Sequence, residues 1–199
     1  HLNPVGWPVA PPLLEEVYNM EDALVNGGAL ITMMNRADRV KVACQAQLVN
    51  VIGPIMTAPG GPAWRQTIYH PYRFASIYGR GEALNVAVDA PKYDCHVADD
   101  VSYLDVAAVR DRNENVLTLF VVNRHLTEKA ELDVSLTGFA GAVLFEHHAM
   151  EGYGLGDTNG PDRPDHVVPK QGTGVDVEDG NLKGAISPLS YHVFRLKTS

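Results

Sequence analysis

The chain has 199 residues, of which 45% are hydrophobic and 20% are charged, and its formal net charge is −8 at pH 7. This length suits one or two domains with a substantial core, and the composition is that of an ordinary globular protein. No apolar run approaches the roughly 20 residues of a membrane span, and the acidic balance lacks the basic face that nucleic acid requires. We therefore expect no membrane and no nucleic acid among its partners.

The first twelve residues contain four prolines. Because proline removes a backbone donor and restricts the residue before it, this segment is predicted to be an extended connector. The chain starts with His1, and no charged segment followed by an apolar one indicates a secretory signal. We therefore expect a cytoplasmic protein, of which this chain is a part that begins inside a longer sequence.

Apolar residues recur at helical spacing after the connector, and Glu15 and Glu16 would lie in the first turn, where the helix dipole favours acidic groups. The residues that set this spacing are Leu14, Val17, Tyr18, Leu24, Val25 and Ile31. The pattern predicts a long helix from Leu13 to Arg36.

A short run of β-branched residues, Val40 to Cys44, follows a turn and predicts a buried strand. Residues 57–62 have the composition of a loop. Aromatic and aliphatic residues from Trp64 to Tyr78 fit a second helix, which Pro71 would kink or end. A helix followed by a strand is half of a βαβ repeat.

From about residue 85 the pattern changes to short stretches that alternate with period two, which is typical of strands in a sandwich. These stretches lie near residues 86–88, 104–108, 117–121, 132–136 and 191–196. Asp179-Gly180 predicts a two-residue hairpin turn, since both residues accept positive φ. Residues 152–174 are predicted to form a long polar loop. The sequence thus divides into an α/β part, residues 1–84, and an all-β sandwich, residues 85–199.

If the first part belongs to a (β/α)8 barrel, the informative place is the carboxyl end of the strand at residues 40–44, where barrel enzymes contact their substrates. Gln45, Gln47 and Asn50 lie at or just beyond that end. A side-chain amide offers both a donor and an acceptor, which suits the hydroxyl groups of a sugar. The alternative is that these amides only satisfy backbone groups in a loop.

The carboxylates of the chain do not suggest a catalytic pair. Glu15 and Glu16 are explained by the start of a helix, Glu21 and Asp22 lie within that helix, and Glu146 lies in a predicted sandwich strand. We therefore assign no catalytic acid and no nucleophile to this chain.

The adjacent histidines His147 and His148 should point to opposite faces of a strand, so they are a poor pair of metal ligands. We expect no metal and no cofactor. Trp7, Trp64, Tyr69 and Tyr72 are candidates for stacking on sugars, although aromatic residues at helical spacing more often belong to a core.

Several segments resemble family 51 α-L-arabinofuranosidases. The most specific are residues 18–24 and 35–52, which are similar to the part of that family that leads from the seventh barrel helix into the eighth strand. Residues 54–57, 60–69 and 78–81 are similar to the following loop and helix, and looser similarity continues at 91–94, 122–125 and 188–195.

The resemblance implies the last helix-strand-helix of a (β/α)8 barrel, followed by a jelly-roll-like sandwich. It also implies a retaining hydrolase that releases terminal arabinofuranosyl units from arabinan, arabinoxylan or their oligosaccharides. The two catalytic glutamates of the family lie on earlier strands, and its Glu-Trp-Asn motif is absent here. Among its sugar-contacting residues only a glutamine carries over, to Gln47. The family requires no metal and often forms homo-oligomers, commonly hexamers.

The chain is therefore expected to be inactive alone and to need the missing barrel portion as a partner, because an apolar surface of two or three βα units would otherwise be exposed. The alternative function is a carbohydrate-binding or oligomer-assembly module built around the sandwich.

Overall fold

A computed structural model describes residues 15–198 of the chain. The predicted connector, Trp7 and the first two residues of the predicted long helix lie outside the described residues. Two helices and thirteen strands are present in the described part: α1 (Met20–Met34), β1 (Ile55–Thr57), β2 (Ala63–Arg65), α2 (Tyr69–Tyr78), β3 (Glu82–Leu84), β4 (Lys92–Cys95), β5 (Ala98–Ser102), β6 (Leu104–Asp111), β7 (Val116–Asn123), β8 (Ala130–Ser135), β9 (Val143–Met150), β10 (Lys170–Gln171), β11 (Val175–Glu178), β12 (Asn181–Ile186) and β13 (Ser190–Lys197). The protein is thus mostly β-sheet with two helices.

The first helix exists as predicted but begins seven residues later. Asn19 caps it: its side chain accepts from the Asp22 backbone N–H at 3.0 Å, and the Asp22 carboxylate accepts from the Asn19 N–H at 2.9 Å. This reciprocal capping box satisfies two donors at the helix start, so the helix begins there. Glu15 and Glu16 precede it in non-helical backbone and do not form its first turn.

The second predicted helix is shorter than expected. Trp64 lies in β2, which pairs with β1, and α2 begins only at Tyr69. Pro71 is buried in the first turn of α2. A backbone N–H at this position would have no hydrogen-bond partner within the helix, so the lack of one in proline breaks no helical hydrogen bond. The proline therefore neither kinks nor ends this helix.

Nine of the strands form two antiparallel sheets that face each other. The large sheet has the order β10-β9-β13-β7-β6-β3, and the small sheet has the order β11-β12-β8. The predicted hairpin joins β11 to β12, and φ is 51° at Asp179 and 78° at Gly180, as the two-residue turn requires. The strands predicted around residues 104–108, 117–121, 132–136 and 191–196 are confirmed.

The large sheet is covered on both faces. On one face, β6, β7 and β13 pack against the small sheet through residues such as Leu119, Val121 and Phe194. On the other face, Phe120, Val122 and other residues of the alternate positions pack against α1 and α2. All eight residues of β7 are consequently buried.

Helix α1 approaches the large sheet closely at Gly27. The buried positions of α1 recur every three to four residues and include Ala23, Gly27 and Ile31. A Cβ atom built at Gly27 would lie 2.8 Å from the ring of Tyr191, which is 2% exposed. Only glycine therefore allows the helix to lie at this distance from β13.

Two predicted strands are absent from the structure. The segment from Val40 to Cys44 has non-regular backbone and is exposed. Residues 85–91, which include the strand predicted at 86–88, are also non-regular, and the strand in this part of the chain is instead β3, which ends at Leu84. A strand needs a partner for its backbone N–H and C=O groups, and the described part of the chain provides none beside residues 40–44. The β-branched composition of that segment is therefore insufficient by itself.

No helix among the described residues is long and apolar enough to cross a membrane.

We predict that Gly27→Ala destabilises the protein by about 2–3 kcal/mol, because the new methyl group overlaps the buried Tyr191 ring. Alanine itself favours a helix by about 1 kcal/mol over glycine, so this is a net effect. The free energy of unfolding from urea titration measures it.

Gly28→Ala is the matched control for this prediction. Its Cβ would meet only the Asp105 carboxylate, at 3.1 Å, and that side chain can shift. Equal losses of stability in the two variants would contradict the role assigned to Gly27.

Candidate functional site

Gln47, the predicted sugar ligand, lies on an exposed non-regular segment that leads into the loop of residues 48–57. Gln45 is half-buried, and its Oε1 atom has no hydrogen-bond partner among the described residues. The amide of Gln47 is thus open to solvent at the point where the chain enters the loop.

Asn50 fixes the shape of this loop. Its Nδ2 donates to Thr57 Oγ1 at 2.9 Å, and its Oδ1 accepts from the Thr57 backbone N–H at 2.8 Å. Asn50 and Val51 both have positive φ, at 60° and 57°. Asparagine tolerates this conformation, whereas β-branched Val51 adopts it at a cost. Asn50 thus satisfies a backbone group within the loop.

Gln66 holds three segments together from beneath the loop. Its side chain is 1% exposed; it accepts from the Tyr18 backbone N–H at 2.9 Å and donates to the carbonyls of Gly53 at 2.9 Å and Glu16 at 3.1 Å. The Tyr18 hydroxyl donates to the Ile52 carbonyl at 3.1 Å. One buried amide thereby fixes the loop, the segment before α1 and the start of α2.

The long loop of residues 151–169 reaches from the sandwich to this region. Asn159 is 2% exposed; its Nδ2 donates to the backbone carbonyls of Arg65 and Val167, both at 2.9 Å. Nearby, Arg65 Nη2 lies 2.9 Å from Asp165 Oδ1, with both side chains about half exposed. The sandwich is therefore tied directly to the hairpin that follows Gln47.

A cavity of about 360 Å³ lies at this junction. Its lining combines the β1–β2 hairpin, the first residue of α2 and the sandwich loop, and consists of Ile55, Ala63, Trp64, Arg65, Tyr69, Pro164 and Asp165. Trp64 and Tyr69 are both half-buried, and the Arg65 guanidinium lies 5.9 Å from the centre of the Tyr69 ring. Tyr72, another predicted stacking residue, instead donates to the Ala43 carbonyl at 3.4 Å.

Glu146 is the centre of an ion-pair cluster between α2 and the large sheet. Its carboxylate accepts from Arg195, from His148 at 2.7 Å and from the Tyr78 hydroxyl at 3.4 Å. Burial raises the pKa of Glu146, but the hydrogen bonds from Arg195 and His148 outweigh burial and hold the pKa below its ordinary value. An ionised carboxylate with these partners holds α2 against the sheet.

His147 and His148 point to opposite faces of β9, as predicted. The His148 ring stacks on Phe74 of α2 with centroids 4.7 Å apart, whereas His147 lies between the sheets, 4.3 Å from the Phe194 ring. No group of three or more metal-ligating side chains occurs among residues 15–198.

His147 belongs to a buried chain of polar groups. Ser190 Oγ donates to the Ser187 carbonyl at 2.5 Å, so it accepts from His192 Nε2 at 2.9 Å. His192 Nδ1 is then the acceptor for His147 Nε2 at 3.0 Å. Burial is the main cause that lowers the pKa of His147 to about 4 and of His192 to about 3. Both imidazoles are therefore neutral near pH 7.

Sequence reasoning did not identify Gln66, Asn159 or Asp165. Asp165 follows its partner Arg65 by 100 residues, and its surroundings have only the composition of a polar loop. Gln66 follows β2, a segment whose residue pattern predicts a helix. None of these three residues carries a local signal of its role.

Residues 2–190 match the family model of the alpha-L-arabinofuranosidase C-terminal domain. The chain is 48% identical over 191 residues to the intracellular exo-alpha-(1->5)-L-arabinofuranosidase 1 of Bacillus subtilis, which covers 96% of this chain and 38% of the relative. It is 36% identical over 202 residues to the exo-alpha-(1->6)-L-arabinofuranosidase of Bifidobacterium longum, covering 98% of this chain and 38% of that relative. The chain thus spans well under half the length of these relatives.

Solved structures have the same fold. A family 51 alpha-L-arabinofuranosidase from Bifidobacterium longum superposes with a TM-score of 0.86 at 31% identity, over 98% of this chain and 37% of that one. An alpha-L-arabinofuranosidase from Thermotoga maritima gives a TM-score of 0.80 at 22% identity, over 92% and 39% of the two chains. The latter shows similarity of fold alone.

We predict that Gln66→Ala lowers the free energy of unfolding by about 2–4 kcal/mol, because it leaves buried backbone groups of Tyr18 and Gly53 without partners. Gln47→Ala is the matched control and should change stability by less than about 0.5 kcal/mol, since Gln47 is exposed. Chemical denaturation of the two variants measures the difference. A Gln66 variant as stable as the wild type would refute its role.

We also predict that stability falls as the pH drops from about 6.5 towards 4. In this window the unfolded chain protonates His147 and His192, whereas the folded pKa values of about 4 and 3 keep them neutral. Each histidine then lowers the free energy of unfolding by up to about 1.4 kcal/mol for each unit by which the pH falls. Urea denaturation between pH 7 and 4.5 measures this slope.

The double variant His147→Gln/His192→Gln keeps polar groups at both positions but cannot bind the protons, so its slope should be smaller. His96→Gln, at an exposed turn, is the control. An unchanged slope in the double variant would show that other groups cause the acid sensitivity.

Proposed function

We propose that this chain forms the C-terminal part of a retaining, exo-acting α-L-arabinofuranosidase of family 51. The premise is that the chain belongs to the family of alpha-L-arabinofuranosidase C-terminal domains. The complete enzyme releases terminal arabinofuranosyl units from arabinan, arabinoxylan or their oligosaccharides. The sequence identity to the Bacillus subtilis enzyme along 96% of the chain is the observation that carries this proposal.

The non-regular segment of residues 40–47 supports a role as the last strand of a barrel that other residues complete. It presents Val40 and Val42 to solvent, and Leu48 and Val49 are also exposed, at 65% and 43%. Side chains of this kind are rarely left exposed together in a finished protein. A barrel portion that precedes this chain would supply strands on both sides and cover these side chains.

Gln47 is the residue of this chain that we place at the substrate. At the carboxyl end of a barrel strand its amide would face the ring of active-site groups, where it donates to and accepts from sugar hydroxyls. The loop that follows, held by Asn50 and Gln66, supports this position because it fixes the backbone just beyond Gln47.

The chemical step itself belongs to two glutamates outside this chain. A retaining glycosidase uses one carboxyl group as acid and base and a second, about 5–5.5 Å away, as nucleophile. The first protonates the leaving oxygen while the second attacks the anomeric carbon, and water then cleaves the glycosyl-enzyme. The chain alone is therefore inactive.

The remaining parts of the proposal are the cellular location and the assembly. An intracellular location is supported by the name of the Bacillus subtilis relative. Assembly into homo-oligomers, commonly hexamers in the family, is proposed from family membership. The β-sandwich is proposed to be jelly-roll-like and to hold the barrel through α1 and α2, which share a core with the large sheet.

We expect the 199-residue chain to release no nitrophenol from p-nitrophenyl α-L-arabinofuranoside. Co-expression with the barrel portion of the Bacillus subtilis relative should restore release, because the two parts complete one active site. Activity of the purified chain alone, or none from the complex of the two parts, would contradict the proposal.

In that complex, Gln47→Ala should lower kcat/KM by about tenfold or more through the loss of hydrogen bonds to the sugar. Gln171→Ala alters another exposed glutamine, on the far strand β10, and should leave kcat/KM unchanged. Equal effects of the two variants would remove Gln47 from the site.

A further inference from the structure

The cavity beside the β1–β2 hairpin is built from two distant parts of the chain. One part is the β1–β2 hairpin with the start of α2, which contributes Ile55, Trp64 and Tyr69. The other part is the loop of residues 151–169, which contributes Pro164 and Asp165. Its volume of about 360 Å³ lies within the range of small-ligand pockets, roughly 300–1,000 Å³.

The walls of this cavity are fixed by buried groups. Asn159 ties the sandwich loop to the Arg65 carbonyl, and the Gln66 backbone N–H donates to the Pro54 carbonyl at 2.8 Å, next to Ile55. A site whose walls are held in this way needs little reorganisation to bind a ligand.

The chemistry of the lining fits a neutral sugar. The faces of the half-buried Trp64 ring carry negative partial charge, which attracts the weakly positive C–H groups of a sugar ring. Arg65 donates hydrogen bonds and Asp165 accepts them, so both roles of a hydroxyl are met. Because Asp165 already neutralises Arg65, the cavity offers no surplus positive charge to a phosphate.

The cavity is connected to Gln47 through the loop of residues 48–57. Val49 bridges to Ile55 in parallel, and Ile55 pairs with Arg65. The loop that starts at Gln47 therefore ends on the wall of the cavity.

We infer that this cavity is a second sugar-binding position, which holds an arabinofuranosyl residue of an oligosaccharide away from the bond that is cleaved. The inference rests on the proposed function for the identity of the sugar. It assigns the sandwich a direct role, since Asp165 contributes a hydrogen-bonding group to the substrate path. Short aryl glycosides do not reach this position, whereas oligosaccharides do.

The binding test uses Trp64 as a reporter. The chain has two tryptophans, so Trp7→Phe leaves Trp64 as the only tryptophan, and selective excitation of tryptophan avoids the signal of the tyrosines. Titration with linear α-1,5-arabinotetraose should change its fluorescence saturably, and Asp165→Ala should raise the Kd by about tenfold through loss of a charged acceptor. Maltotetraose should give no change. Absence of a response to arabinotetraose, or the same response to both sugars, would overturn the inference.

Glu82→Ala is the matched control, because Glu82 Oε2 lies 2.7 Å from Arg112 in an equally exposed ion pair on β3, outside the cavity lining. It should leave the Kd unchanged. Asp165→Asn, which keeps an acceptor, should recover most of the affinity. If Asp165→Ala and Asp165→Asn both leave the Kd unaltered, Asp165 does not contact the sugar and the inference is overturned.

Kinetics of the complex with the barrel portion separate this inference from the proposed function. Asp165→Ala should raise KM for arabinotetraose about tenfold and leave kcat and the KM for the aryl glycoside unchanged. A complex without activity would refute the proposed function, while the fluorescence titration would still decide the inference. Equal losses on both substrates would indicate a structural role and overturn the inference alone.

Discussion

The burial of the large sheet on both faces is the constraint on which the rest of the structure depends. Strand β7 has no exposed position, and β13 beside it contributes Val193 to the helix-covered face and Phe194 to the sandwich core. If the helices were removed, the rings of Phe120 and Tyr191 would be uncovered. The two helices are thus as necessary to the large sheet as the small sheet is, although the sequence pattern predicts that the helices belong to a (β/α)8 barrel.

Buried amides, rather than apolar contacts, fix the region that carries Gln47. Gln66 and Asn159 each bind backbone groups from segments far apart in sequence, and each has almost no exposure to solvent. Buried polar groups of this kind are costly unless every partner is present, so they select one arrangement of the loops. The apolar core sets where the helices lie, and the amides set where the loops lie.

Much of the fold could be predicted because its signals are local. The period-two strands and the Asp179-Gly180 turn each depend on residues close in sequence. The capping pair of Asn19 and Asp22 starts α1 later than the apolar spacing before it predicts. The β-branched residues at Val40 predict a strand that is absent, because a strand exists only with a neighbour. The meeting of Arg65 with Asp165 depends on tertiary structure, for which no local pattern exists.

The order of strands has a consequence for how the protein is made. Strand β13 lies between β9 and β7 at the centre of the large sheet, yet it follows all its neighbours in the sequence. Until residues 190–197 have left the ribosome, β7 and β9 lack their shared partner, and α1, synthesised about 160 residues earlier, has no completed surface on which to dock. The edges of β7 and β9 that β13 later covers are therefore unpaired while the chain is made, and an unpaired strand edge can pair with another chain.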